Sequence, residues 1–319
     1  MFRYISNRII YLLPVLFLMS IIVFLFIHLI PGDPVDVILG IEATKEARIA
    51  LQAELGLDRN LVVQYFSWIG KILTGDFGVS VISGRPIINI IMEKFPATLL
   101  LAFAAIMIAL TISIFSGTIA ASNKGTWKDL SVLSMALFGV SIPSFWLGIM
   151  LIMIFSLHWP LFPAIGYTSI FENFTQAMRH LCLPAVTLGA TFTSAITRMT
   201  RSEMIEQLSQ DYITTAYAKG LSRPEVIYKH GLRNSLLSVV TFAGMELGTL
   251  IGGTVVTETI FAWPGLGQLV VQSVFARDYP MVQGIVLVLS ASFVFINLLV
   301  DVSYTYLNPQ IRFERRRQS

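Results

Sequence analysis

Few residues of this 319-residue chain have the type and spacing to do chemistry. Glu246 is the clearest. It sits in Thr241-Phe242-Ala243-Gly244-Met245-Glu246-Leu247-Gly248, near the middle of an apolar run. An ionised carboxylate facing lipid at that depth costs about 2.5–3.5 kcal/mol. It must face water, take a proton or hydrogen-bond to another helix, so Met245 and Glu246 are the candidates for lining a polar path. Asp301, late in the last apolar run, reads as an interhelical or interfacial contact. His28, His158, His180 and His230 have no ligand-like spacing, and the single cysteine, Cys182, excludes an internal disulfide. No metal site is expected. The chain lacks G-x-x-x-x-G-K-[ST], H-E-x-x-H and G-x-S-x-G. No catalytic residue or bound cofactor is therefore expected, and any nucleotide chemistry belongs to a partner.

These residues need elements to hold them. The chain is 55% hydrophobic and 13% charged, about half the charge of a soluble protein. A disordered chain and a soluble globular enzyme both fit poorly. Continuous apolar runs exclude a β-barrel, which would alternate in ten-residue units. The expected class is an all-α polytopic membrane protein with six transmembrane helices, at about 9–30, 97–121, 130–156, 181–200, 236–257 and 281–304. The first run is read as a retained helix, because it is longer than a signal-peptide core and has no small-residue cleavage site. Pro143 and Pro184 fall inside the third and fourth runs and are tolerable where neighbours satisfy the freed carbonyls. Gly244, Gly248 and Gly252 recur at every fourth residue, which permits close approach by another helix, within the subunit or between subunits.

Six spans put both termini on one side. That side carries 14 Lys and Arg residues against 8 on the other, so the termini are expected in the cytoplasm of a cell with this chain in its cytoplasmic membrane. The basic tail Arg315-Arg316-Arg317 reads as an anchor near anionic lipid, with no nucleic-acid partner.

Two polar segments remain. The outer one, about 31–96, holds a short helix from Thr44 to Leu55, an amphipathic stretch from Gln64 to Leu73 with Tyr65, Trp68, Ile69 and Ile72 on one stripe, and a turn at Gly75-Asp76-Phe77-Gly78. It suits a cap over the membrane domain or a dock for an external protein. The inner one, 201–235, holds a helix from Asp211 to Lys219 ended by Gly220. Ser222-Arg223-Pro224-Glu225 then matches a capping box, starting a short helix that Gly231 closes in a left-handed conformation. Three domains are expected: 1–95, 96–307 with the inner loop, and the tail 308–319.

Several groups of residues together carry a family likeness. They are Pro31-Gly32-Asp33-Pro34, Leu55-Gly56-Leu57-Asp58, Gly75-Asp76-Phe77-Gly78-Val79-Ser80, Glu258 through Gly267, Arg277-Asp278-Tyr279-Pro280 and Asn308-Pro309-Gln310-Ile311-Arg312. With them the chain resembles, over nearly its whole length, the permease subunits of binding-protein-dependent ABC importers of the dipeptide, oligopeptide and nickel class. The inner loop is similar to the signature loop of such permeases at Ala216, Gly220 and Leu232, and lacks the family's glutamate at Thr214.

The resemblance implies a type I ABC importer permease fold. It implies a heterodimer with a second, homologous permease, two ATP-binding subunits that use ATP and Mg, and an extracytoplasmic solute-binding protein. It makes the inner loop the ATPase-coupling element, with Thr215, Ala216, Gly220, Ser222, Glu225, His230 and Arg233 as its residues and 223–230 as the inserted helix. It makes the outer segments 31–96 and 258–280 the receiving surface for the binding protein, and Trp263-Pro264-Gly265-Leu266-Gly267 a probe that displaces cargo or else a re-entrant turn. The expected cargo is a small peptide, with a nickel or metal chelate as the alternative within the family. A proton-driven secondary transporter working through Glu246 is the alternative of another class.

Overall fold

The computed structural model describes residues 2–29, 44–46, 49 and 58–307. The Pro31–Pro34 mark, most of the helix expected over 44–55 and the basic tail lie outside the described residues; Lys45, Glu46 and Ile49 are helical. Ten helices of eight residues or more follow in order among the described residues. They are α1 Phe2–Leu29, α2 Leu61–Leu73, α3 Ile87–Ser122, α4 Trp127–Ser141, α5 Ser144–His158, α6 Phe174–Leu208, α7 Asp211–Ala218, α8 Arg223–Ile260, α9 Leu266–Phe275 and α10 Tyr279–Leu307. The β-structure among the described residues is one antiparallel bridge, Val79 to Pro86.

Four of these helices, α3, α6, α8 and α10, are long and apolar enough to cross a membrane, and the pair α4 and α5 makes a fifth candidate. That pair departs from the single span expected over 130–156. The chain bends by 96° between α4 and α5. Ile142 adopts φ −83°, ψ 120°, an extended conformation. The ring of Pro143 disfavours helical backbone in the residue before it, which accounts for the break. Pro96 and Pro184 stay within α3 and α6.

The chain separates into two compact units. The first comprises Met1–Thr98 and Pro264–Val294. Its core is Ile87, Ile90 and Ile91 of α3 with Leu266 of α9 and Met281 and Ile285 of α10. Two of the family marks meet here although 198 residues apart. The Ser80 hydroxyl donates to Asp278 Oδ2 at 2.5 Å, and Asp278 Oδ1 accepts the backbone N–H of Val81 and of Met281, each at 3.3 Å. One buried carboxylate therefore caps α10 and fixes the turn that follows α2.

The second unit comprises Leu99–Trp263 and Phe295–Ser319. Small residues bring α3 and α6 into contact. A Cβ on Gly189 would stand 2.7 Å from the Ala105 carbonyl oxygen, and one on Gly117 would stand 2.6 Å from the Cβ of Thr200. Hydroxyls stitch the same seam: Ser113 donates to the Thr193 carbonyl at 2.8 Å, and Ser116 and Thr197 share a bond at 3.2 Å. Close backbone approach with hydroxyl cross-links is how helices associate where burial from water gives no drive.

Candidate coupling and translocation site

The inner loop is an organised surface in the second unit. Asp211 in the first turn of α7 suits the positive end of the helix. Ile213 and Ala216 point inward and pack with Val226, Leu208 and Leu221. The helix ends in a Schellman motif: Gly220 N–H bonds the Tyr217 carbonyl at 2.9 Å and Leu221 N–H bonds the Ala216 carbonyl at 3.3 Å. Gly220 has φ +82°, and a Cβ there would meet nothing within 4 Å. The glycine is thus required by backbone conformation rather than by space.

The start of α8 differs from the sequence expectation in two respects. Ser222 occupies the N-cap position, but its hydroxyl makes no capping bond. Glu225 lies 3.6 Å from Lys229, one turn on, so the reciprocal capping box does not form. Gly231 does not close a short helix, because it lies within a π-helical stretch, Val226–Leu232, that runs straight on to Ile260. Its role is packing. A Cβ at Gly231 would stand 2.9 Å from Leu208 Cδ2. The free-standing element of this loop is therefore α7 with the turn after it, and the stretch 223–230 is the first part of a long helix.

Side chains tie the loop to the ends of three other helices. Arg223 donates to the Ser122 carbonyl at the end of α3, at 2.7 Å. Tyr212 links α6 and α8 by donating to Gln207 Oε1 at 2.8 Å and accepting from Asn234 at 3.0 Å. Ala121, Met204 and Ile227 form a small core under the loop. Beside it Arg201 makes a bidentate pair with Asp129 in the first turn of α4, at 2.6 and 2.7 Å, and Asp129 also accepts Gly125 N–H at 2.9 Å. Asp129 is buried, and removing one partner of a buried pair costs about 3–5 kcal/mol. Sequence reasoning missed this clasp, because its two residues stand 72 positions apart on different helices.

Of the expected coupling residues, Thr215, Gly220, Ser222 and Arg233 are exposed, Glu225 and His230 are half-buried and Ala216 is buried. The outward surface adds Tyr217, Tyr228, Lys219 and Lys229. Tyrosine and basic side chains standing on a rigid base suit a protein partner.

Along α8 the glycines divide. A Cβ on Gly244 would stand 2.7 Å from Val300 of α10, whereas Gly252 and Gly253 face open space. Met245 is exposed and Glu246 is half-buried, with the Thr249 hydroxyl donating to its carboxylate at 3.2 Å. Met245, Thr249, Gly252, Gly253 and Val256 make one exposed stripe. The fully buried carboxylate of this helix is Glu258, which the sequence reading left just beyond the fifth span, at the start of the outer segment 258–280, and did not take as a pathway residue.

The outer connection corrects the probe reading. Trp263 is fully buried, against Tyr167 at 4.9 Å edge-on, and Trp263 N–H bonds the Glu258 carbonyl at 2.8 Å. Gly265, Leu266 and Gly267 are buried and Pro264 is half-buried. Leu266 N–H donates to the Thr98 hydroxyl at 2.8 Å. Nothing in this segment protrudes. The exposed outer groups nearby are Val274, Phe275 and Arg277 at the end of α9.

Known proteins resemble this chain over most of its length. Residues 113–313 match the family described as binding-protein-dependent transport system inner membrane component, and residues 1–102 match its N-terminal companion. The chain is 41% identical over 314 residues to the glutathione transport system permease protein GsiC of Escherichia coli K12, covering 98% of this chain and 100% of that one. The Salmonella choleraesuis GsiC is 42% identical over the same length. Among solved structures, inward-facing MetNI methionine ABC transporter aligns with a TM-score of 0.56 at 21% identity, over 69% of this chain and 96% of that one. A crystal structure of an amino acid ABC transporter with histidines gives 0.51 at 13% identity, over 68% and 94%. These two alignments speak for the fold.

Proposed function

This chain belongs to the family of inner-membrane components of binding-protein-dependent transport systems, and on that premise we propose that it carries small peptides inward, driven through its α7 loop. It is the multi-pass permease subunit of an ABC importer, working with ATP-binding and solute-binding partners in other chains. Energy from a separate ATPase leaves no role for the proton-driven alternative.

The observation that carries the coupling reading is the α7 turn. Its geometry is fixed by its own backbone bonds, its underside is packed on α6 and α8, and Arg223 joins it to α3. A push on its exposed face is thus delivered to several helix ends at once. Thr215, Ala216, Gly220, Ser222, Glu225, His230 and Arg233 form or support this contact. In a heterodimer of two permeases with six spans each and cytoplasmic termini, closure of two ATPases moves the two loops and the helices follow as rigid bodies. Met245 and Glu246 line the path, where a carboxylate favours the ammonium of a peptide and disfavours an anionic group. The outer segments, with the exposed end of α9, receive the binding protein. Glutathione, the cargo in the relatives' names, is itself a small peptide, which supports peptide over nickel chelate.

The test is uptake of labelled di- and tripeptides, glutathione included, by cells with and without the chain. Uptake that needs the chain and the ATPase supports the reading. Uptake of a nickel chelate alone would replace the cargo, and uptake that persists without the ATPase would end the coupling proposal.

A further inference from the structure

The amphipathic helix α2 follows α1 in the outer segment that the sequence reads as a soluble cap. All of its residues but Val63 and Gly70 fall into three stripes at helical spacing. Gln64, Ser67 and Lys71 make a narrow polar stripe. Leu61, Tyr65, Trp68 and Ile72 make the second, which carries the contacts to α1. The Tyr65 ring lies 6.1 Å from Phe17 and 5.5 Å from Phe24, Trp68 lies 5.8 Å from Phe24, and the Tyr65 hydroxyl bonds the Ser20 hydroxyl at 2.7 Å. Val62, Phe66, Ile69 and Leu73 make the third. In this stripe Ile69 is half-buried, while Val62, Phe66 and Leu73 are 60%, 61% and 81% exposed.

The position of the α1 contact fixes the depth of α2. Ser20 stands midway along the apolar run 9–30, roughly 15 Å of helix from either end. A bilayer core is about 30 Å thick, so this contact lies among acyl chains if α1 crosses the membrane. A tyrosine hydroxyl at that depth needs a partner, and Ser20 provides it. α1 likewise exposes apolar side chains, at Phe17, Leu18, Ile22 and Leu25. Water on that stripe would leave an apolar patch that soluble surfaces rarely carry.

We propose that α2 is a lipid-embedded helix packed beside α1 among the acyl chains. Its Val62, Phe66 and Leu73 face meets acyl chains, the Tyr65 stripe clasps α1, and Lys71 extends its stem toward the headgroups. The occupant of the stripe is lipid, and the outer cap is anchored beside α1 through this helix. The proposal rests on α1 crossing the bilayer and is independent of cargo and of coupling.

The test uses the assembled importer in liposomes, with Cys182→Ala removing the native thiol and one nitroxide-labelled cysteine at a time. The labels are placed at Phe66, Leu73 or Val62 on the free stripe, Ser67 or Lys71 on the polar stripe, and Leu18 or Ile22 on α1. Collision rates with oxygen, which partitions into lipid, and with a water-soluble nickel chelate are measured, and peptide uptake confirms that each variant is assembled. The expected result is an oxygen-to-chelate ratio several-fold higher at 62, 66 and 73 than at 67 and 71, and similar to that at 18 and 22. A water signature at 62, 66 and 73 with a lipid signature on α1 overturns the assignment alone. A water signature at both overturns α1 as well. Low access to both probes that changes when the binding protein is added, or that accompanies spin–spin coupling between copies, assigns the stripe to a protein partner and also overturns it.

Discussion

The same helix ending occurs on the inner loop and on the outer connection, with different residues in the critical position. After α7 the left-handed residue is Gly220. After α8 it is Ala262, φ +48°, and after α9 it is Arg277, φ +55°. All three close with the paired bonds of a Schellman motif. Trp263 N–H reaches the Glu258 carbonyl and Ala262 N–H the Thr259 carbonyl, while Asp278 N–H reaches Ser273 and Arg277 N–H reaches Val274. A non-glycine residue in this conformation costs about 1–2 kcal/mol. At the outer turns the next residue along the chain offsets that cost. In one it is a fully buried Trp263, and in the other an Asp278 bonded to Ser80, Val81 and Met281. The inner turn packs its helix against Leu208 and Val226, but no buried side chain or multiply bonded carboxylate follows the left-handed position, so the conformation there is left to glycine. The outer turns are held by distant partners, and the inner one holds itself.

The largest effect should come from cutting the distant partner. Asp278→Ala leaves donors of Ser80, Val81 and Met281 without their acceptor. It should cost about 3 kcal/mol and lower the thermal unfolding midpoint of the purified chain sharply. A small shift would mean that the outer turn is locally determined after all.

Gly220→Val acts on the inner turn. It should cost about 1–2 kcal/mol of stability while greatly reducing uptake and leaving ATP hydrolysis in the assembled complex uncoupled from it. Normal uptake would show that the turn need not keep its shape. Arg277→Gly should run the other way, raising stability by about 0.5 kcal/mol by relieving the left-handed backbone. A loss instead would mean that the exposed guanidinium is held there by a contact of its own. The smallest effect on stability is expected at Ser222→Ala, within about 0.5 kcal/mol, because the hydroxyl makes no capping bond. A larger loss would restore the capping box that the sequence suggests.

The sequence made the continuous helices legible wherever apolarity alone decided them, as in α3, α6, α8 and α10. It also located α2, α7 and the helix stop at Gly220, because those depend on neighbours within a few residues, but it assigned the left-handed conformation to Gly231 instead of Gly220. It did not show the 96° bend at Ile142-Pro143. Proline is compatible with a continuous helix at Pro184 and a broken one here, and surrounding packing decides between them. Hydropathy singled out Glu246 for its central position, whereas burial depends on which face meets a neighbour, and that favours Glu258. Gly231 looked like a terminator from spacing alone, and the side chain that explains it, Leu208, lies 23 residues earlier. Asp129 and Arg201, 72 residues apart, were invisible as a pair for the same reason. The coupling surface was thus recognisable as a loop with a glycine stop, while its anchorage needed three dimensions.

The Ser80–Asp278 bond has a practical consequence for anyone exchanging parts between related permeases. The turn 75–86 and the first residues of α10 form a matched set, so grafting either one alone would pair a foreign hydroxyl with a native carboxylate, or the reverse. Chimaeras that swap both together should mature normally, and single swaps should be retained poorly by the cell.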